Sequence, residues 1–379
     1  MSSIYLDYSS ATPLDKSVAK KMLSAENIFA NPSTKYASGR EASQLLESSR
    51  KKIAMFFGAN TDEIIFTSGA TESNNLAILG SARKAKQGRI ISIKTEHSSI
   101  RGPVMQLGKE GFSVDWCKVD TAGRVNVADF ISLLRKDTIL VSISYANGEI
   151  GTILQIAKLV QEVRKFEKAN SCKIIFHTDA SSALALLSCD VSRLGVDLLT
   201  ASSAKIYGPK GIGLLYVRRK TQLQQLMYGG NQESGLRAGT ESLPLVVGFA
   251  SAVELIAANK ASCAAKYQQY YISCMHNLEE LEFIENGHPK DRLYSVLSLC
   301  FEGLNGEDLV AYLDAQGFEV STGAACEASN DEPSSALMAI GRTRAQAQGS
   351  LRISFGRSTT PKQVDLLQKC LKKTISALL

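Results

Sequence analysis

Apolar and polar positions along this chain follow two periods, and the switches between them predict its elements. From residue 39 to 57 the apolar residues Ala42, Leu45, Leu46, Ile53 and Phe56 fall on one helical face, which predicts an amphipathic helix. Residues 63–67 form a short apolar run that predicts a strand. The run breaks at Ser68-Gly69-Ala70-Thr71, and a helix is expected over 72–85. Further strands are predicted at 89–94, 138–144, 173–176 and 196–201, and another at 212–217 after a Gly-Pro-Lys-Gly turn. Near-continuous apolar strands separated by helical stretches predict an α/β fold: a large, mostly parallel mixed sheet covered by helices on both faces. Ligands of such sheets bind beyond the carboxyl ends of the strands. Here those ends carry the Ser-Gly-Ala-Thr turn, His97, Asp179 and Lys205.

The pattern changes after about residue 243. A long or broken helix over 243–281 is followed by a strand at 295–301, a helix at 308–316, a segment rich in small residues at 321–329, a strand at 350–355 and a last helix at 361–378. This predicts a smaller C-terminal α/β domain. The expected division is 15–250 for the large domain, with 1–14 and 251–379 forming the small one.

Composition narrows the function classes. The chain has 379 residues, 44% hydrophobic and 21% charged, which suits a globular protein with a sizeable core. Its net charge of +6 is scattered. The densest basic stretch, Arg218-Arg219-Lys220, closes a predicted strand and reads as a solvated strand end, so direct nucleic-acid binding is not expected. A mildly basic face still favours an acidic protein partner. No apolar run reaches the roughly 18–20 residues that span a bilayer, so no membrane association is expected. The first residues lack a basic segment followed by an apolar one, and the expected location is the cytoplasm. The eight cysteines contain no C-x-x-C pair, which argues against a disulfide scaffold or a structural zinc site.

Several residues could carry chemistry, each with an ordinary alternative. Ser68-Gly69-Ala70-Thr71 precedes a helix, where free backbone N–H groups and hydroxyls bind phosphate; alone it is equally a plain N-cap by Thr71 or Ser68. Asp179 ends a buried strand and would pair with a pyridinium N–H, or would simply cap the next segment. Lys205 follows the small residues Ser202, Ser203 and Ala204. In a half-buried crevice a lysine has a lowered pKa and forms Schiff bases, whereas on an open loop it is only a surface charge. His97 could stack on a ring and move protons, while His177, inside a strand, reads as structural. Cys326 lies among small residues in a segment suited to a reactive, accessible thiol or to an unremarkable loop. Arg352 interrupts an apolar strand, either to clamp a carboxylate or to face outward.

In this order the motifs resemble the class V aminotransferase-like pyridoxal phosphate enzymes of fold type I, and within them the cysteine desulfurases of the IscS/NifS type. The resemblance runs over nearly the whole chain. It rests on Tyr5-Leu6-Asp7-Tyr8, Asn31-Pro32-Ser33, Phe66-Thr67-Ser68-Gly69-Ala70-Thr71-Glu72-Ser73-Asn74-Asn75, Thr95-Glu96-His97, Lys205-Ile206-Tyr207-Gly208-Pro209-Lys210-Gly211, Gly235-Leu236-Arg237-Ala238-Gly239-Thr240 and the segment around Cys326.

The resemblance implies that Lys205 carries pyridoxal 5'-phosphate as a Schiff base and that Asp179 pairs with its ring nitrogen. It implies that His97 stacks on the ring and that Ala70, Thr71 and Ser202 hold the phosphate. Thr240 would reach the phosphate of a neighbouring subunit, which implies a homodimer. Arg352 and Asn147 would bind the substrate L-cysteine. Cys326 would accept its sulfur as a persulfide for an acceptor protein, leaving L-alanine. Iron–sulfur assembly, tRNA thiolation and DNA sulfur modification are all open as destinations.

The sequence also departs from the family pattern. Asn-Asn-Glu-Ile-Gly is Asn147-Gly148-Glu149-Ile150-Gly151 here, Asp-Ala-x-Gln ends in Ser182, and the residue before Lys205 is Ala204 where the family has histidine. Three polar contacts to the cofactor are thereby shortened or lost, each worth roughly 1.5–3 kcal/mol, unless water, Ser182 or Ser203 substitutes. These changes keep two alternatives open: a degenerate relative that binds rather than catalyses, and a related lyase such as a selenocysteine lyase.

Overall fold

The computed structural model describes residues 3–323 and 333–378. Seven strands form the main sheet in the order Ile64–Thr67, Gly213–Val217, Leu198–Ser202, Ile175–Asp179, Thr138–Ser142, Arg89–Ile93, Ser113–Cys117. Only Gly213–Val217 runs antiparallel to its neighbours. The strand interiors are almost wholly buried, as their apolar runs require. The chain runs from Arg89–Ile93 out to the edge strand Ser113–Cys117 and returns to Thr138–Ser142 on the other side. That reversal opens a crevice at the carboxyl ends of the strands.

Two of the boundaries that differ from expectation bear on the crevice. The strand predicted to stop at 176 continues through His177, Thr178 and Asp179 to become Ile175–Asp179. These polar residues pair in register with Leu198, Leu199 and Thr200. His177 is fully buried, but its ring nitrogens meet the Ser142 hydroxyl at 2.9 Å and the Thr200 hydroxyl at 3.1 Å. Satisfied in this way, polar side chains can sit in a core strand. The helix predicted from 72 begins at Ala70, directly after Gly69.

Helix Ala37–Phe57 buries Ala42, Leu46, Ile53 and Phe57 and stops at left-handed Gly58. It and helix Lys16–Glu26 each pack against the long helix Leu243–Asn277. That long helix is apolar enough to pass for a membrane span by length and composition, in contrast to the sequence expectation. Yet 56% of its apolar stretch is buried inside the protein, as in a core helix. Its first half, including Val246, Phe249 and Val253, joins the core around the main sheet. Its second half, with Tyr267, Tyr270, Tyr271 and Cys274, joins a second core. The second core also holds Leu6, the antiparallel sheet of Ile284–Glu285, Val296–Cys300 and Ser350–Ser354, and helix Pro361–Leu378. Arg218 and Arg219, in the densest basic stretch, pair with Asp197 and Asp62.

Candidate active site

A cavity of ≈ 490 Å³ opens over the carboxyl ends of the main strands, and Asp179, Lys205, His97 and Arg352 all line it. It is built first from the turn after Ile64–Thr67. Gly69 there has φ 155° and no side-chain cap, and a Cβ added to it would meet nothing within 4 Å. The N-cap by Thr71 or Ser68 is therefore not formed: the Ser68 N–H instead donates to Glu72 Oε2 at 2.6 Å. The first N–H groups of helix Ala70–Ala85 have no partners within the helix and open toward the cavity beside Ala70 and Thr71. Gly213 lets this turn sit low, because a Cβ there would lie 2.7 Å from the Gly69 backbone.

Asp179 sits at the end of its strand with two donors. Asn74 Nδ2 donates to Oδ2 at 2.8 Å, and the Ser181 N–H donates to Oδ1 at 2.8 Å. Asn74, fully buried on its helix, also donates to Ser99 Oγ at 2.8 Å. Ser99 in turn meets His97 Nδ1 through its hydroxyl (2.9 Å) and its N–H (3.1 Å). With Nδ1 accepting, the neutral His97 ring carries its proton on Nε2. Asn74 thus connects the carboxylate at one side of the cavity to the imidazole at the other. Sequence reasoning did not single out Asn74 or Ser99. The available signal was a polar residue on the buried face of a helix, next to Leu76, Ala77 and Ile78.

Glu96 was also passed over. Its carboxyl spans the crevice to the Ser144 N–H at 2.7 Å and to the Ser144 hydroxyl. Complete burial, aided by the nearby Asp179 charge, pushes its pKa up to about 8. It holds together the two strands between which the chain reverses.

Lys205 follows Leu198–Ser202 in a short 3-10 turn, and its Nζ donates to the Ser10 carbonyl at 2.7 Å and to the Ser9 carbonyl. The N-terminal segment therefore meets the lysine directly. Arg352 reaches the same segment: Nη2 donates to Asp7 Oδ1 at 2.8 Å and to Ser10 Oγ at 2.7 Å. Its Nε is buried with no partner among the described residues. Arg352 faces inward, so the outward edge-strand reading does not hold.

Other expected residues behave differently. Asn147 lines the cavity, but its amide is largely committed to its own turn. It donates to the Thr95 carbonyl at 2.8 Å and accepts from the N–H groups of Glu149 (2.8 Å) and Ile150 (2.9 Å). The amide thereby shapes the turn that borders the cavity. Ser202 and Ser182 line the cavity. Ser203 is fully buried outside that lining, so it does not substitute for a lost cofactor contact. A Cβ at Gly148 would lie 2.7 Å from Ser182 Oγ, and the two residues border a further recess of ≈ 50 Å³ with Tyr8, Tyr207 and Tyr267. Thr240 is exposed and is not part of this cavity.

Cys326 lies outside the described residues. None of the seven described cysteines lines the cavity. Burial pushes Cys117 and Cys274 up to about 11 and Cys189 up to about 12, which keeps them as thiols.

An α/β sheet with a lysine-bearing crevice at its topological reversal defines a class V aminotransferase-type protein, and residues 4–367 match the family model described as Aminotransferase class-V. The chain is 38% identical to cysteine desulfurase IscS 1 of Archaeoglobus fulgidus, covering 99% of this chain and 97% of that protein. A solved NifS-like protein superposes with a TM-score of 0.92 at 30% identity, covering 99% of each chain. A structure described as SspA in complex with cysteine superposes with a TM-score of 0.81 at 33% identity, over 93% of this chain and 98% of that one. The chain belongs to this family, among the cysteine desulfurases of the IscS/NifS type.

The family depends on pyridoxal phosphate, and the cavity fits that group. The uncapped helix start and the open space at Gly69 suit a phosphate. Asp179 has two donors on its oxygens and lone pairs left to accept a ring N–H.

Proposed function

We infer that this chain is a pyridoxal-phosphate-dependent cysteine desulfurase, and we propose that it takes sulfur from L-cysteine, releases L-alanine and carries the sulfur as a persulfide on Cys326. The observation that carries this reading is one cavity that joins Lys205, Asp179, His97 and Arg352 to an uncapped helix start. Bound pyridoxal phosphate would supply an electron sink for bonds at the substrate's Cα and Cβ.

The remaining roles belong to this chain's own side chains. Ala70, Thr71 and Ser202 hold the phosphate, with Ser182 near the ring. Lys205 leaves the Ser9 and Ser10 carbonyls to hold the cofactor and to move a proton. Asp179, steadied by Asn74 and the Ser181 N–H, holds the ring nitrogen protonated. His97 presents Nε2 to the cavity as the proton-transfer atom. Arg352, which lines the cavity, offers its guanidinium to the substrate carboxylate. Cys326 supplies the thiolate that takes the sulfur.

We also propose a homodimer. Thr240 sits exposed outside its own cavity, and Met227 and Tyr228 nearby in sequence are 47% and 70% exposed. This supports a reach toward a second copy. Two cores support a large and a small domain, proposed as 15–250 and as 1–14 with 251–379, although Tyr8, Val253, Ile256, Leu293 and Val296 pack with the main-sheet core.

The test is direct. Purified protein with added pyridoxal phosphate is expected to show a visible absorption band that Lys205→Ala abolishes, and to form alanine from cysteine. Absence of both band and alanine would sink the enzyme reading. Sulfide release that survives Cys326→Ala would sink the persulfide step alone. Sedimentation as a monomer at micromolar concentration would sink the dimer.

A further inference from the structure

A second concavity, an open groove of ≈ 780 Å³, lies beside the active-site cavity. It runs between helix Ser98–Lys109, the edge strand Ser113–Cys117 and the short helix Ser335–Ala339. Ser335 lines both the groove and the cavity, so one short helix is their shared wall. Lys94 and Lys118 directly follow strands Arg89–Ile93 and Ser113–Cys117, at the same sheet edge as the catalytic residues. Both are exposed, and neither makes an ion pair among the described residues. Arg101 donates to the Ser335 hydroxyl at the shared wall. The floor is apolar: Met105 is 52% exposed, Met338 is 42% exposed, and half-buried Trp116 lines it as well. Among the described residues, no carboxylate lines the groove.

We propose that this groove docks an acidic, cysteine-bearing segment of the protein that accepts sulfur from the enzyme. This rests on the desulfurase reading and adds the partner's chemistry and its seat. Two cations over methionine and tryptophan suit a peptide with carboxylates on one side and apolar side chains on the other. A polynucleotide would need a longer run of cations than these. Docking beside the shared wall brings the acceptor's thiol to the mouth of the cavity. The acceptor thiolate attacks the outer sulfur of the Cys326 persulfide. The S–S bond breaks, its electron pair stays on Cys326 Sγ, and the new persulfide forms on the acceptor. No oxidant or reductant is consumed.

The test uses the holoenzyme and a short synthetic peptide with one cysteine, several glutamates and leucines, beside the same peptide with glutamine for each glutamate. Sulfur acceptance is read as peptide persulfide by mass spectrometry, and binding as a change in fluorescence of Trp116, the single tryptophan. The acidic peptide is expected to exceed the glutamine peptide in kcat/KM by about tenfold, a preference lost in Lys94→Glu/Lys118→Glu. Alanine formation with dithiothreitol as acceptor stays unchanged in that variant. A preference below about twofold, or one that survives the double charge reversal, overturns the proposal. So does a single-stranded oligonucleotide that shifts Trp116 fluorescence at lower concentration than the acidic peptide. If the wild-type enzyme forms no alanine, the desulfurase reading fails first, and the fluorescence titration still reports whether the groove binds acidic peptide.

Discussion

Asn74 carries more than its size suggests, since one amide serves both Asp179 and, through Ser99, His97. Asn74→Ala leaves a half-buried carboxylate oxygen and a buried hydroxyl short of a donor, a loss of about 1–3 kcal/mol. The expected outcome is cofactor loss about tenfold faster or more, read as decay of the visible band on dilution, together with a lower kcat. Glu96 gives a pH signature. Its folded pKa of about 8 stands above the ordinary 4.5, so the folded protein keeps a proton that the unfolded chain releases. Stability therefore falls as pH rises between those values. His177, lowered to about 4 from 6.5 by burial, works in the opposite sense, and only below 6.5. Between about pH 6.5 and 8, then, Glu96→Gln is expected to remove a downward slope of up to about 1.4 kcal/mol per pH unit in urea melts of the apoprotein. An unchanged slope would show that Glu96 is ionised when folded. At this scale the sequence was legible where a residue type announces chemistry, as with Lys205 and Asp179. It was opaque for Asn74 and Glu96, whose importance arises from partners 105 and 48 positions away.

Between elements, the Arg50–Glu233 ion pair fixes the loop that leads to Thr240. Arg50 meets both Glu233 oxygens, at 2.8 and 2.7 Å, from inside helix Ala37–Phe57, and both side chains are nearly excluded from water. Glu233→Ala strands a buried guanidinium and is expected to cost about 3–5 kcal/mol, seen as a lower urea midpoint. If Thr240 serves a second copy, the same variant also weakens the dimer in sedimentation. Element types were largely readable from period, because core strands and amphipathic helices show their burial in their apolar spacing. Ends were less so. Strand Ile175–Asp179 outran its apolar run because neighbouring strands satisfy His177 and Thr178. The edge strand Ser113–Cys117, with polar and apolar residues mixed and only Cys117 buried, had no clear period to read.

Across the whole molecule, helix Leu243–Asn277 is the strut common to both cores. Ala258, on its exposed side between them, is a place to break it. Ala258→Pro is expected to cost about 3 kcal/mol and to separate the melting of the two cores into resolved calorimetric transitions. A single undivided transition at lower temperature would mean the cores are held together by their other contacts. The overall architecture was legible because alternating strand and helix periods leave few topologies. The meeting of the N-terminal segment with Lys205 and Arg352 was not, since Ser10 and Asp7 lie 195 and 345 positions from them.

The Arg50–Glu233 pair has one more effect. Strand Ile64–Thr67 is the last in the sheet, and an open strand margin invites other chains to add to it. Glu233 Oε2 accepts the Phe66 N–H at 2.7 Å, and Arg50 donates to the Ile64 carbonyl at 2.9 Å. A side-chain clasp thus occupies the hydrogen-bonding groups that an eighth strand would use. Loosening it would expose a template for fibril growth as well as weaken a loop.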